Sequence, residues 1–124
     1  VVKVDYEIPG CPVYLPEVVE VLKAVLAGLP RVCPDNSVCV ECKLNENVCH
    51  YQRGVTCLGP ITRAGCNSWC INNGNICYGC RGMVSNPNEK GAVDVIKEYK
   101  IPMDLIKNKM NMYNKCREND KSGK

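Results

Sequence analysis

Apolar and polar side chains alternate at the start of the chain: Val2, Val4, Tyr6 and Ile8 fall between Lys3, Asp5 and Glu7. That period of two predicts a strand with one buried face. "PGCP" at residues 9–12 reads as a turn, after which the period lengthens. In "PEVVEVLKAVLAG", residues 16–28, Val18, Leu22, Val25 and Leu26 fall on one helical stripe, with Pro16 at a first helical position, Glu17 and Glu20 in the first turn and Gly28 just past the end. Strand, turn and helix make one βα unit. Parallel strands need neighbours, and such sheets are covered by helices on both faces, so this unit reads as the last element of a larger α/β domain.

From Leu29 to about Asn88 almost no periodic apolar segment appears; the stretch is rich in Gly, Pro, Asn and Cys. A loop of this length needs an organiser other than a hydrophobic core. Helical patterns return at 90–99, through Val93, Val95, Ile96 and Tyr99, and at 102–115, through Leu105, Ile106, Met110, Met112 and Tyr113. The final "RENDKSGK" reads as a frayed end. The chain therefore divides into a βα unit at 1–32, a cysteine-rich domain at 33–88, C-terminal helices at 89–116 and a tail at 117–124.

Composition says what the organiser is made of. In 124 residues there are eleven cysteines, one Trp and no Phe, so apolar burial is thin and crosslinks or metals must contribute to holding the chain. The odd count would leave a disulfide framework with an orphan thiol, and the N-terminus lacks the basic start, apolar run and small-residue cleavage site of a secretion signal. Both features favour metal. No stretch approaches a membrane span. The net charge of +3 is concentrated after residue 80, where Lys107, Lys109, Lys115, Arg117, Lys121 and Lys124 alternate with Asp104, Glu118 and Asp120 without an aromatic ladder. This is the pattern of a solvated helix face, not a nucleic-acid surface.

Cysteine spacing defines two consecutive groups of four. Cys39 and Cys42 form C-x2-C and are followed by Cys49 and Cys57; Cys66 and Cys70 form C-x3-C and are followed by Cys77 and Cys80, another C-x2-C. Closely spaced thiolates can aim at one centre from a single turn, and two more within a short loop complete a tetrahedral set. Spacing alone suits two zinc sites as well as two cubane iron–sulfur clusters. Gly59, Gly65, Gly74 and Gly79 tilt the choice toward iron–sulfur, because they let backbone amides approach an inorganic core.

"VDYEIPGCP", "VCVEC", "CLGPITRAGC" and "CYGCRG", in this order and followed by "EYKIPMDLIKNKMNMYN", resemble the C-terminal half of the small subunit of NiFe-hydrogenases. The types most similar are the methyl-viologen-reducing and deazaflavin-reducing hydrogenases of methanogens and the delta subunit of sulfhydrogenases. The resemblance runs from about Val4 to Asn114. It implies a distal-type 4Fe-4S cluster on Cys39, Cys42, Cys49 and Cys57, with Cys39 where many members have a His. It implies a medial-type 4Fe-4S cluster on Cys66, Cys70, Cys77 and Cys80. Cys11 resembles the last ligand of a proximal-type cluster whose other ligands lie, in the family, in a flavodoxin-like N-terminal domain. The chain is expected either to leave Cys11 idle or to use it in a site completed elsewhere. The implied fold is a small α-plus-irregular iron–sulfur domain with one βα unit left from a flavodoxin-like domain, long cluster-binding loops and two C-terminal helices.

The remaining residues receive plainer readings. His50 is a solvated loop residue rather than a ligand, and Cys33 and Cys116 are small buried or idle thiols. Arg63 and Arg81 stand close to cluster cysteines, where their charge would raise a potential, or they pair with surface acids. Trp69 is expected to shield the medial cluster. No Ser/His/Asp set, paired carboxylates or phosphate loop is present, so substrate chemistry belongs on a partner. The expectation is a cytoplasmic electron-relay subunit with two 4Fe-4S clusters, bound to larger oxidoreductase subunits carrying a NiFe site, flavin or further clusters. The alternatives are a zinc-stabilised scaffold or nucleic-acid adaptor with two four-cysteine sites, and a piece of a complete small subunit.

Overall fold

The computed structural model describes residues 2–30, 33–85, 89–100, 102, 104–106 and 108–113. In chain order it contains α1 (Leu15–Leu26), α2 (Val38–Leu44), a 3-10 turn (His50–Arg53), α3 (Trp69–Asn72) and α4 (Glu89–Glu98). Further helical turns lie at 104–106 and 108–113. Cys116 and the tail fall outside the described residues.

The segment expected as a strand, residues 2–8, forms none. A strand exists only through the hydrogen bonds of a neighbour, and among the described residues the only pairings of that type are two isolated antiparallel bridges, Ser37 with Arg63 and Thr62 with Met83. The helix that follows does form. Pro16 sits in its first turn, and a Schellman motif closes it: Gly28 adopts φ +66°, Gly28 N–H donates to Val25 O (3.1 Å) and Leu29 N–H to Ala24 O (2.9 Å).

The rotation of α1 differs from the expected one. Leu22 and Val25 are exposed and Leu26 is 87% exposed, while Val21 alone is buried, at 6%. A polar contact sets the orientation. Glu17, one turn before Val21, pairs with Arg81 of the cysteine-rich region, and this tether turns the Glu17, Val21 and Ala24 side inward.

Burial concentrates instead where periodicity is lacking. One cluster joins Val38, Cys42, Tyr51, Cys57, Leu58, Ile71 and Cys77 to Ile96 of α4 and Ile106 of the last helical turns. Tyr99, just after α4, stacks on Tyr51 at 6.0 Å between ring centres. Three of the candidate ligands, Cys42, Cys57 and Cys77, are thus core residues as well. The C-terminal helices cover the loops that carry them.

Candidate metal centre

The ten described cysteines are all free thiols. Eight of them gather in the two groups that the spacing defines.

Cys39 and Cys42 lie three residues apart on α2 and so share a face. The helix is anchored by Val38 N–H donating to Thr62 O at 2.8 Å. Cys49 caps the 3-10 turn, which ends at Gly54 with φ +68°, and the buried Tyr51 hydroxyl donates to Cys57 O, holding that cysteine against the turn. Burial, then the nearby Cys57, Cys42 and Cys49 sulfurs, push the Cys39 thiol up to about 12. Burial, then Cys57 and Cys49, also raise Cys42. Cys42, Cys49 and Cys57 thus lie close enough to Cys39 to act on it.

Gly59 shows how tightly this group is enclosed. A Cβ there would stand 3.2 Å from Cys39 Sγ and 3.5 Å from Cys57 Sγ, so any side chain would enter the space the sulfurs face.

The second group is built on loops. Cys66, Cys70, Cys77 and Cys80 line one cleft, and Cys11 lines it with them. Burial pushes the Cys77 thiol up to about 12 against the opposing effect of hydrogen bonds from the Thr62 hydroxyl and Gly79 N–H. Cys70 is raised by burial, then by Cys80 and Cys11. Cys66 is raised by burial, then by the Glu41 carboxylate, against hydrogen bonds from the Trp69 and Ser68 amides.

Hydrogen bonds clamp the Cys66 loop from two sides. On one, the Glu41 carboxylate accepts from Gly65 N–H (2.6 Å) and Ser68 N–H (2.9 Å). On the other, Arg81 Nε donates to Ala64 O (3.0 Å) while its Nη1 reaches Pro9 O (2.8 Å) and Glu17 Oε2 (2.5 Å), and its Nη2 reaches Glu17 Oε1 (2.7 Å). Arg81 is 2% exposed. A two-pronged guanidinium–carboxylate contact of this kind fixes orientation as well as distance. It ties α1 and the turn before Cys11 to the residues beside Cys66 and Cys80. Arg81 is therefore a clamp, and its charge is met by Glu17.

The two groups touch. Cys77 N–H donates to Cys57 Sγ at 3.3 Å, and Leu58 N–H to Cys77 O at 2.9 Å. A backbone amide of the second group thus bonds a sulfur of the first.

The chemistry of this donor set suits a metal core. Thiols packed this closely stay protonated unless a cation offsets burial and mutual repulsion, and metal ligation is what deprotonates a coordinating thiol. Amide and hydroxyl donors on Cys57, Cys66 and Cys77 are the contacts that stabilise metal-bound sulfur. Among the described residues no group of three or more His, Cys, Asp or Glu is placed to hold a single metal ion. The thiols of the second group line a cleft rather than closing on a point.

Other expected residues stand elsewhere. Cys33 is exposed, lining a separate cleft with Arg63 and Arg81. His50 is half-buried at the start of the 3-10 turn and faces a cleft with Arg53 and Asn72. Trp69 is 46% exposed and lies on the Tyr14 ring, 5.9 Å between centres, so it joins α3 to the residue that precedes α1 and shields little.

No family model and no solved structure matches the chain. Curated proteins do. It is similar to the delta subunit of sulfhydrogenase 2 of Pyrococcus furiosus, 42% identical over 113 residues, which make up 90% of this chain and 47% of that protein. The chain is related to hydrogenase subunits. A vhu subunit of the F420-non-reducing hydrogenase of Methanocaldococcus jannaschii is 36% identical over 109 residues, 73% of this chain and 38% of that protein. The iron-sulfur subunit of the F420-non-reducing hydrogenase of Archaeoglobus profundus is 28% identical over 119 residues, 73% of this chain and 37% of that protein. The chain thus spans less than half the length of these relatives.

Glu41, which holds the Cys66 loop, and Glu17, which holds Arg81, are structural contacts that apolar periodicity does not point to. Glu41 does carry a signal, since it stands inside C-x-x-C between two candidate ligands. Glu17 carries none, because its partner lies 64 residues away.

Proposed function

We propose that the chain is the electron-transfer part of a hydrogenase-type complex, with one 4Fe-4S cluster on Cys39, Cys42, Cys49 and Cys57 and a second on Cys66, Cys70, Cys77 and Cys80. The observation that carries this reading is the contact between the two sets of four thiols, made by the Cys77 N–H to Cys57 Sγ hydrogen bond. Adjacent one-electron centres with a bonded path between them make a relay. When bound, the clusters would supply reversible one-electron chemistry. The chain supplies eight thiolates, amide donors to their sulfurs and a covered interior that limits water.

The relatives' names favour the same reading, since one of them is called an iron-sulfur subunit and all are hydrogenase subunits. Larger subunits bearing a NiFe site, flavin or further clusters would be its partners, and a reducing cytoplasmic setting fits ten free thiols. No helix among the described residues is long and apolar enough to cross a membrane. Residues 1–32 are, on this reading, the end of a flavodoxin-like domain, which the exposed face of α1 supports. Cys11, at the mouth of the second cleft, would then lie toward a proximal-type cluster.

Electron paramagnetic resonance of the anaerobically prepared, dithionite-reduced protein tests the relay. Two magnetically interacting iron–sulfur signals are expected. A colourless, silent protein would contradict it.

A further inference from the structure

We propose that two fixed charges, the Glu41 carboxylate beside Cys66 and the Lys109 ammonium beside Cys57, bias the two centres in opposite directions, so that an added electron settles on the Cys39/Cys42/Cys49/Cys57 centre. This rests on the two-cluster reading above and adds a direction to it.

Glu41 belongs by sequence to the first group and acts on the second. It sits on α2 between Cys39 and Cys42, yet its carboxylate accepts the amides of Gly65 and Ser68, on both sides of Cys66, and comes within 3.9 Å of Cys66 Sγ. The loop it holds contains two successive non-glycine residues with positive φ, Asn67 at +52° and Ser68 at +49°. Such a backbone persists only where its surroundings fix it, so the carboxylate is held in place as firmly as the loop. Among the described residues the ion pairs are Lys23 with Glu20 and Arg81 with Glu17; Glu41 is in neither. The cation nearest to the second group, Arg81, is engaged by both oxygens of Glu17. Arg81 still acts on Cys66, but less than Glu41 does, so the balance of charge at Cys66 is negative.

The first group has the opposite surroundings. Lys109, from the last helical turns, donates to Thr56 O at 3.1 Å, the carbonyl preceding Cys57, and its charge acts on the Cys57 sulfur; its Nζ also stands 5.8 Å from the centre of the ring of Tyr78, which lines the second cleft. Lys43 follows Cys42 on α2 and adds a second cation on that side. Reduction adds one negative charge to a centre with no bond made or broken. A nearby carboxylate opposes that charge and a nearby ammonium favours it, with little screening where water is excluded.

The test is a potentiometric titration of the loaded, anaerobic protein, followed by electron paramagnetic resonance, with dithionite as the one-electron donor through mediators. Cys70→Ala removes one thiolate from the second centre and so identifies its signal. In the unaltered protein the first centre should be reduced first. Glu41→Gln should raise the midpoint of the second centre and Lys109→Met should lower that of the first. Each should narrow the gap by about tenfold in electron partition, which is about 59 mV for one electron. Glu41→Asp, which keeps the charge, should keep the order. If either variant fails to load its clusters, the other variant and the order in the unaltered protein still decide.

Reduction of the second centre first, or an unchanged gap in the variants that load, overturns the proposal while leaving the relay intact. A protein with no iron–sulfur signal at all defeats the two-cluster reading and this inference together.

Discussion

Helix α1 and the cysteine-rich region at 33–85 are opposites in how sequence relates to burial. The first has clear helical periodicity, a Pro in its first turn and a glycine that ends it, yet it buries only Val21. The second has no periodicity and holds most of the buried residues among those described, including Val38, Leu58, Ala64 and Ile71. In α1 periodicity and capping residues fix the local conformation, whereas burial depends on what the chain is gathered around. In the cysteine-rich region that gathering is done by thiols, Tyr51, Glu41 and Arg81.

On the two-cluster reading, the sharpest way to break this contrast is to remove the metal. Ordering each residue costs roughly 1 to 2 kcal/mol in backbone entropy, and the few large apolar side chains between 33 and 85 cannot offset that over the whole stretch. Chelating or oxidatively destroying the clusters should abolish amide-exchange protection across 33–85. Equal protection in the apo and loaded forms would show that the core stands without metal.

Glu17→Ala attacks the charged tether between the regions. It would leave the Arg81 guanidinium buried without its partner, a loss of about 3 to 5 kcal/mol for a buried pair broken on one side. Denaturant melts of the loaded protein measure it, and a loss under about 1 kcal/mol would mean that water replaces the carboxylate. The same variant should free α1 to turn, which Trp69 fluorescence would report through the Tyr14 contact.

How much of this is legible in the sequence follows the same division. The extent of α1 and the membership of the two cysteine groups can be read, because capping residues and short cysteine spacings are local signals. The inward face of α1 cannot, since a carboxylate–guanidinium contact between Glu17 and Arg81 overrides the apolar stripe. Nor can the lack of a strand at 2–8, where alternation states a preference that only a pairing partner can realise. The motif around Cys11 points to a third site; the fold brings that residue to the cleft of the second.

Smaller changes sharpen the picture. Gly65 has φ +116°, and a Cβ there would run into Arg81 Nη2. Gly65→Ala should therefore cost about 1 to 3 kcal/mol in the same melts, with the second centre lost before the first. An effect within error would mean that the Arg81 side chain yields. At the other extreme stands Leu26, 87% exposed at the end of α1. Leu26→Ser should change the stability of this chain by no more than about 0.5 kcal/mol, and a larger loss would show that the outer face of α1 is covered.

The central claim is that the thiols of 33–85 gather around two iron–sulfur cores, and its most direct test is an anaerobic determination of iron, acid-labile sulfide and zinc on the purified protein. Two clusters of the cubane type require about eight irons and eight sulfides per chain, with zinc absent. About two zincs per chain, without sulfide, would contradict the account and leave a four-thiolate zinc scaffold in its place.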